Sequence, residues 1–209
     1  MKRLKKVHGI VSKYNNKQKD PKVEKNKMQH KGTQILETNR LILRPFHSED
    51  AESCLNNWAA DPNVFRWISM EVQSQKEIEE WLAGADEVYN SLETYYWAIV
   101  EKVSGKLIGE IYVDDFSNRN KRCEVSWKIG SRFWSRGYTT EAAQIVLQFL
   151  LKEVGVHRIQ AKCCVKNIAS ERVMQKLGMQ KEGILKDYFL GKDGHYEDVV
   201  MYSLLNAEL

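Results

Sequence analysis

Two hydrophobic periods run along the chain, and the points where one gives way to the other divide it into elements. Arg40–Phe46 is a short apolar run closed by a proline, as expected of a first strand. Ser48-Glu-Asp-Ala-Glu52 offers an N-cap and first-turn acids for a helix ending before Asp61-Pro62. Ile78, Trp81, Leu82, Ala85, Val88 and Tyr89 recur at helical spacing and predict a second helix from about Ser74 to Asn90. Three strand-like runs follow at 95–101, 106–114 and 122–129, the first two joined through Ser104-Gly105, and they read as an antiparallel meander. In the third, Cys123, Val125, Trp127 and Ile129 alternate with Glu124, Ser126 and Lys128, so one face is apolar and the other polar.

After Gly130 the period becomes helical, with Ala142, Ile145, Val146, Phe149, Leu150 and Val154 on one stripe and Gly155 placed to end it. A strand over 158–165 leads to Asn167, a natural N-cap for a helix over 168–177 with Gly178 beyond its end. Two strands, about 181–190 and 195–204, close the chain around Gly191-Lys-Asp-Gly194. The expectation is an α/β (α+β) domain with a mixed, mostly antiparallel sheet of about seven strands and four helices.

Composition changes this picture mainly at the start. Residues 1–34 lack apolar periodicity and carry eleven Lys and Arg against Asp20 and Glu24, which leaves the remainder mildly acidic. Such a segment cannot offset its ordering entropy, so it reads as a disordered basic tail ahead of one domain spanning 35–209. The tail is either an anchor for ribosome, RNA or membrane, or a plain solvated extension with Met28 as an alternative initiator. No apolar stretch approaches the roughly 20 residues that span a bilayer, and no apolar segment follows the charged start, which points to a cytoplasmic protein with no membrane partner. Cys54, Cys123, Cys163 and Cys164 have no metal-binding spacing and read as reduced core thiols, and His157 and His195 read as strand-end residues, so no metal is expected.

The segment with chemical content is Ile129–Tyr138, a strand entering a helix through a tight turn. Such a turn presents unpaired backbone N–H groups at a positive helix end and suits a diphosphate, with Gly137 permitting close approach and Arg132 or Arg136 adding charge.

Thr38-Asn-Arg-Leu-Ile-Leu-Arg-Pro, Trp134-Ser-Arg-Gly-Tyr-Thr-Thr-Glu-Ala and Asn167-Ile-Ala-Ser-Glu-Arg-Val-Met-Gln-Lys-Leu-Gly178 stand in this order in the chain. With Glu182-Gly-Ile184 and Asp198-Val-Val-Met-Tyr-Ser203, they make the chain resemble the GNAT superfamily of N-acetyltransferases, in particular its ribosomal-protein-alanine branch. The resemblance covers residues 36–205. It implies that acetyl-coenzyme A is the cosubstrate, its diphosphate held by the amides of Trp134, Ser135, Arg136, Gly137, Tyr138 and Thr139. Trp134 and Thr139 depart from the superfamily's usual residues at the two ends of that motif. The pantetheine arm would lie in a gap between splayed strands, beside Trp127, Lys128 and Ile129 and facing Asn167 and Ser170.

A thioester is already activated, so the implied chemistry is direct attack by an amine in a ternary complex, which needs an oxyanion donor and an acceptor for the amine's proton. A backbone N–H near Ile129 is the candidate oxyanion donor, and Ser170 the group that assists the departing thiolate. Glu124 and Asp187 are the candidate bases, with Glu110 a third, while Trp58 and Trp67 border the region where relatives bind the acceptor. A protein N-terminal α-amine, a small amine such as a polyamine or aminoglycoside, and a non-catalytic sensor of acyl-coenzyme A are all compatible with these residues.

Overall fold

The computed structural model describes residues 27–207. Eight strands form one sheet: β1 (Leu36–Glu37), β2 (Leu41–Arg44), β3 (Tyr96–Glu101), β4 (Leu107–Ser117), β5 (Arg122–Ile129), β6 (Arg158–Cys164), β7 (Gln180–Leu190) and β8 (Tyr196–Leu205), in the order β1-β2-β3-β4-β5-β6-β8-β7. The expected meander is β3–β4–β5, antiparallel throughout. The eighth strand, β1, is a two-residue hairpin arm on β2, too short to show a period.

Five α-helices accompany the sheet: α1 (Ala51–Cys54), α2 (Gln75–Ala83), α3 (Ala85–Tyr89), α4 (Tyr138–Phe149) and α5 (Ile168–Lys176). The single helix expected over 74–90 is broken at Gly84 into α2 and α3. Ser74 caps α2, accepting from the Glu77 N–H. At α1 the expected cap is replaced: Ser48–Asp50 is a 3₁₀ turn, and the Asp50 carboxylate accepts from the His47 N–H at 2.8 Å while gripping Arg44 at 2.7 Å. π-helical turns extend α1 over Leu55–Ala59 and α4 over Leu150–Val154. Gly155 and Gly178 follow their helices in the left-handed conformation foreseen for them.

The sheet buries both faces unequally. One face packs under α4 and α5 around Ile111, Val125, Val146, Leu150 and Met174. On the other, α1 and α2 cover only the β2–β4 side, around Phe46, Trp58, Ile78, Ala98 and Leu107. Over β5, β6 and β8 that second face carries Glu124, Gln160, Lys162 and Met201, which line an open cleft.

Order starts before Ile35, contrary to the expected boundary. Residues 28–34 lie along the domain as a strap: Met28 is buried in the main core, Gln29 N–H bonds Val154 O at 2.8 Å, and Trp97 Nε1 donates to Gln34 O at 2.6 Å. The one buried apolar side chain supplies about 1.5–3 kcal/mol, and the backbone bonds fix a stretch whose polar composition hides that anchor. The tail reading for residues 1–26 lies outside the described residues.

Candidate active site

Strands β5 and β6 run parallel but pair only at Arg122↔Arg158, Cys123↔Ile159 and Glu124↔Gln160. Beyond Glu124 they part, leaving a wedge whose closed end is the Glu124–Gln160 pair. Across β4 the Gly130 N–H bonds Ile108 O at 3.0 Å, so alternation turns the N–H and C=O of Trp127 and Ile129 away from β4 and into the wedge. These are the backbone groups expected to meet the pantetheine arm. Lys128 is turned away on both counts: alternation aims its amide at β4, and its side chain is buried with Glu110 under the helices of the face that also carries Glu124.

At the open end, Gly130 leads into a 3₁₀ turn, Ser131–Phe133, and then the turn before α4. Ser135 (φ 61°) and Gly137 (φ 80°) are both left-handed, and the first bond of α4 runs from Glu141 N–H to Gly137 O. The amides of residues 138–140 therefore have no helical partner, and together with the two left-handed positions they form a concavity whose geometry suits an anion. Gly137 is needed for its conformation, not for space, because an added Cβ would meet only the tip of Arg40 at 3.5 Å.

Several side chains brace this turn. Trp134 Nε1 donates to Ile129 O at 2.7 Å, tying the turn to the end of β5, so the Trp at this position is a structural strut and not merely a bearer of an amide. Arg40, just before β2, reaches over to the Glu141 carboxylate (Nε–Oε2 2.7 Å), donates to Arg136 O at 2.9 Å, and stacks on the Tyr138 ring at 4.6 Å. Thr38 Oγ1 donates to the same carboxylate at 2.5 Å. Sequence reasoning quoted Thr38-Asn-Arg40 as a motif without assigning it this latch; the signal was Glu141 in the first turn of α4. Replacing Arg40 with Ala is expected to raise KM for the coenzyme about 5–10-fold with kcat within about twofold, a loss of about 1 kcal/mol for a half-exposed network. An unchanged KM in steady-state kinetics would remove the latch.

Arg132, offered as a possible phosphate ligand, is committed elsewhere: it donates to Asn56 O and to Asn57 Oδ1. Ser131 N–H bonds Asp61 at 2.9 Å, and Gly130 lies against the backbone of Asn57, where a Cβ would sit 1.8 Å from the carbonyl oxygen. The α1 end thus fixes the turn. Arg136 stays exposed beside the turn and is the cation placed to add charge there.

Asn167 caps α5, its Oδ1 accepting from Ser170 N–H at 3.2 Å, and Cys163 lies against this first turn, Sγ to Asn167 O at 3.8 Å. Burial pushes the Cys163 thiol up to about 12, as it does Cys54 and Cys123, so these thiols are not nucleophiles.

The candidate bases occupy three different settings. Glu124 is buried at the closed end of the wedge, ion-paired with Lys162 and accepting from Gln160 Nε2 at 3.2 Å. Burial works against the Lys162 ammonium, and the Glu124 carboxylate beside it outweighs that, so Lys162 titrates above its ordinary range. Glu110 is fully buried and held by Lys128 and the Tyr96 hydroxyl, with the Lys128 ammonium over the Trp58 and Tyr112 rings at 5.6 and 5.3 Å. Burial, then Glu110 itself, drives the Tyr96 hydroxyl well above its ordinary range, so Tyr96 remains a donor. Asp187 is exposed in an irregular stretch of β7 (φ 47°), its N–H bonded to Asp198, and it does not line the cleft that Glu124 lines. Trp58 belongs to the core, stacked with Phe65 at 6.4 Å, and does not border a groove; Trp67 lines a second cleft with Lys166, Phe189 and Glu197.

The family model described as the acetyltransferase (GNAT) domain matches residues 40–180. The chain belongs to the GNAT acetyltransferases. GNAT enzymes draw their acetyl group from acetyl-coenzyme A, and this chain is an N-acetyltransferase of that kind, with a wedge and an amide-lined turn that suit the cosubstrate. It is similar to the uncharacterized N-acetyltransferase YoaA of Bacillus subtilis, 30% identical over 82% of this chain and 96% of that one. It is also similar to the ribosomal protein uS5-alanine N-acetyltransferase of Escherichia coli, 27% identical over 83% of this chain and 91% of that one. A GNAT acetyltransferase structure from Bacillus anthracis superposes with a TM-score of 0.73 at 25% identity, over 83% of this chain and 99% of that one. Among the described residues, no helix is long and apolar enough to cross a membrane, and no three His, Cys, Asp or Glu are grouped to hold a metal.

Proposed function

We propose that this GNAT enzyme acetylates a protein N-terminal α-amine, of the kind presented by a ribosomal protein, in the cytoplasm. The observation that carries the chemistry is the buried Glu124 carboxylate at the closed end of the wedge, opening on a cleft free of helices. The choice of acceptor is supported by the uS5-alanine acetyltransferase among its relatives. An α-amine has a pKa near ~8, so an enzyme at neutral pH needs only a modest base to free it. Glu124 takes that proton through intervening water, since it lies five residues along β5 from Ile129, whose N–H in the wedge faces the developing oxyanion, and Ser170, in the first turn of α5, assists the departing thiolate. Asn167 orients Ser170 through the cap. When bound, acetyl-coenzyme A supplies an activated acyl group, so no covalent enzyme intermediate is required.

A coenzyme A release assay tests this reading, using peptides that start with Ala, Ser or Met beside polyamines and aminoglycosides. Turnover of Ala- or Ser-starting peptides at least tenfold faster than any small amine is the expected result. Faster turnover of a small amine would move the acceptor to that class, and binding of acetyl-coenzyme A without turnover would make the chain a sensor.

A further inference from the structure

The cleft that Glu124 opens on is lined by Asp114, Asp115, Glu124, Gln160, Lys162, Tyr188 and Met201. Two of its three carboxylates already have cations: Asp115 pairs with Arg122 at 2.5 Å, and Glu124 pairs with Lys162, whose ammonium also lies over the Tyr188 ring at 5.5 Å. Asp114 is different. It stands directly opposite Glu124 in the β4–β5 register, at the cleft rim, and among the described residues no cation forms an ion pair with it. The row Asp114–Glu124–Gln160 crosses three strands at the closed end of the wedge, so the one uncompensated charge of the cleft lies one strand away from the candidate base.

Resting on the acetyltransferase reading above, we infer that Asp114 captures the acceptor as its ammonium ion and hands it to Glu124, making the cleft selective for amines that arrive charged. An ammonium next to Asp114 completes the charge balance that Arg122 and Lys162 complete for the other two acids. The aromatic face of Tyr188, across the cleft on β7, already takes the Lys162 ammonium, so that cation is shared between the ring and Glu124. Partial burial, and then the charge of Glu124, hold the Asp114 carboxyl above the usual carboxylate range; Lys162 pulls it down and Asp115 pushes it up. The sign follows. Capture requires Asp114 ionised and the amine protonated, so it operates between the raised Asp114 value and the amine's ~8, and fades on either side.

Asp114→Asn, isosteric and neutral, tests this against Asp114→Glu, with the best acceptor of the coenzyme A release panel. At pH 7 the Asn variant should raise the acceptor KM about 10-fold or more, with kcat and the acetyl-coenzyme A KM within about twofold. The defect should shrink toward pH 9, where the amine is neutral, and Glu should restore most of the loss. Titration of the same amine into the coenzyme A-loaded protein reads capture without turnover. Equal acceptor affinity in wild type and the Asn variant, or a defect independent of pH, overturns the role of Asp114. If wild type turns over no amine, the enzyme reading fails, and if it also binds none, Asp114 fails with it.

Discussion

Glu124→Gln is expected to lower kcat by about 10²-fold at neutral pH while leaving the KM for acetyl-coenzyme A nearly unchanged. Glu124 lies where β5 and β6 last touch, so its side chain sits at the closed end of the wedge and not at the turn before α4, which starts some ten residues further along the chain. The substitution also strands the Lys162 ammonium, which is largely buried and has Glu124 as its ion partner. A stability loss of about 1–3 kcal/mol is expected from that alone. The two effects separate in the double variant Glu124→Gln, Lys162→Met, which removes the stranded charge: it should recover thermal stability and recover no rate. The rate defect should also narrow as pH rises past the acceptor pKa, because a free amine no longer needs a base. Should the double variant regain wild-type kcat, Glu124 is only a structural partner of Lys162 and the proton goes elsewhere.

The contrast between Glu124, Asp187 and Glu110 shows which parts of the site were legible in the sequence. The alternation of β5 put Glu124 on the polar face correctly, because a period of two is a local property. Nothing local distinguished it from Glu110, which has the same alternation one strand over and is sealed under α1 and α2 by Lys128 and Tyr96. That difference depends on how far two short helices extend across the sheet. The turn at 134–139 was legible from Gly137, since only a left-handed residue permits it, but Ser135 shares that conformation without announcing it. Long-range braces were the least visible: Arg40 to Glu141 spans 101 positions, and Met28 looks like any residue of a polar segment until it is seen in the core. Charge bookkeeping in the cleft was equally hidden. Asp114 and Asp115 look alike in sequence, and only the structure gives one of them an arginine.

Gly109→Ala is expected to destabilise the protein by about 2–3 kcal/mol and to weaken coenzyme binding about 10-fold, although Gly109 touches neither substrate. Gly109 stands opposite Ile129 in β4, and an added Cβ would lie 2.2 Å from Lys128 O and 2.8 Å from Ile129 Cα. The third neighbour, Ile129 Cγ1 at 2.8 Å, is a side-chain atom, but the two backbone atoms cannot swing aside. Either β4 and β5 separate, at the expense of ladder bonds such as Gly130 N–H to Ile108 O, or β5 moves toward the wedge. The second response displaces the Ile129 N–H and, through the Trp134 indole on Ile129 O, the turn before α4 as well. Gly183→Ala is the matched control, because a Cβ there meets nothing within 4 Å and the glycine has no positive φ. It should leave urea midpoint and coenzyme affinity within error. Equal behaviour of the two variants would mean that the sheet absorbs a methyl group at Gly109 without moving β5. Normal coenzyme affinity in a destabilised Gly109→Ala would mean that the strands part without disturbing the wedge, and the geometry of Ile129 would then owe nothing to the close approach of β4.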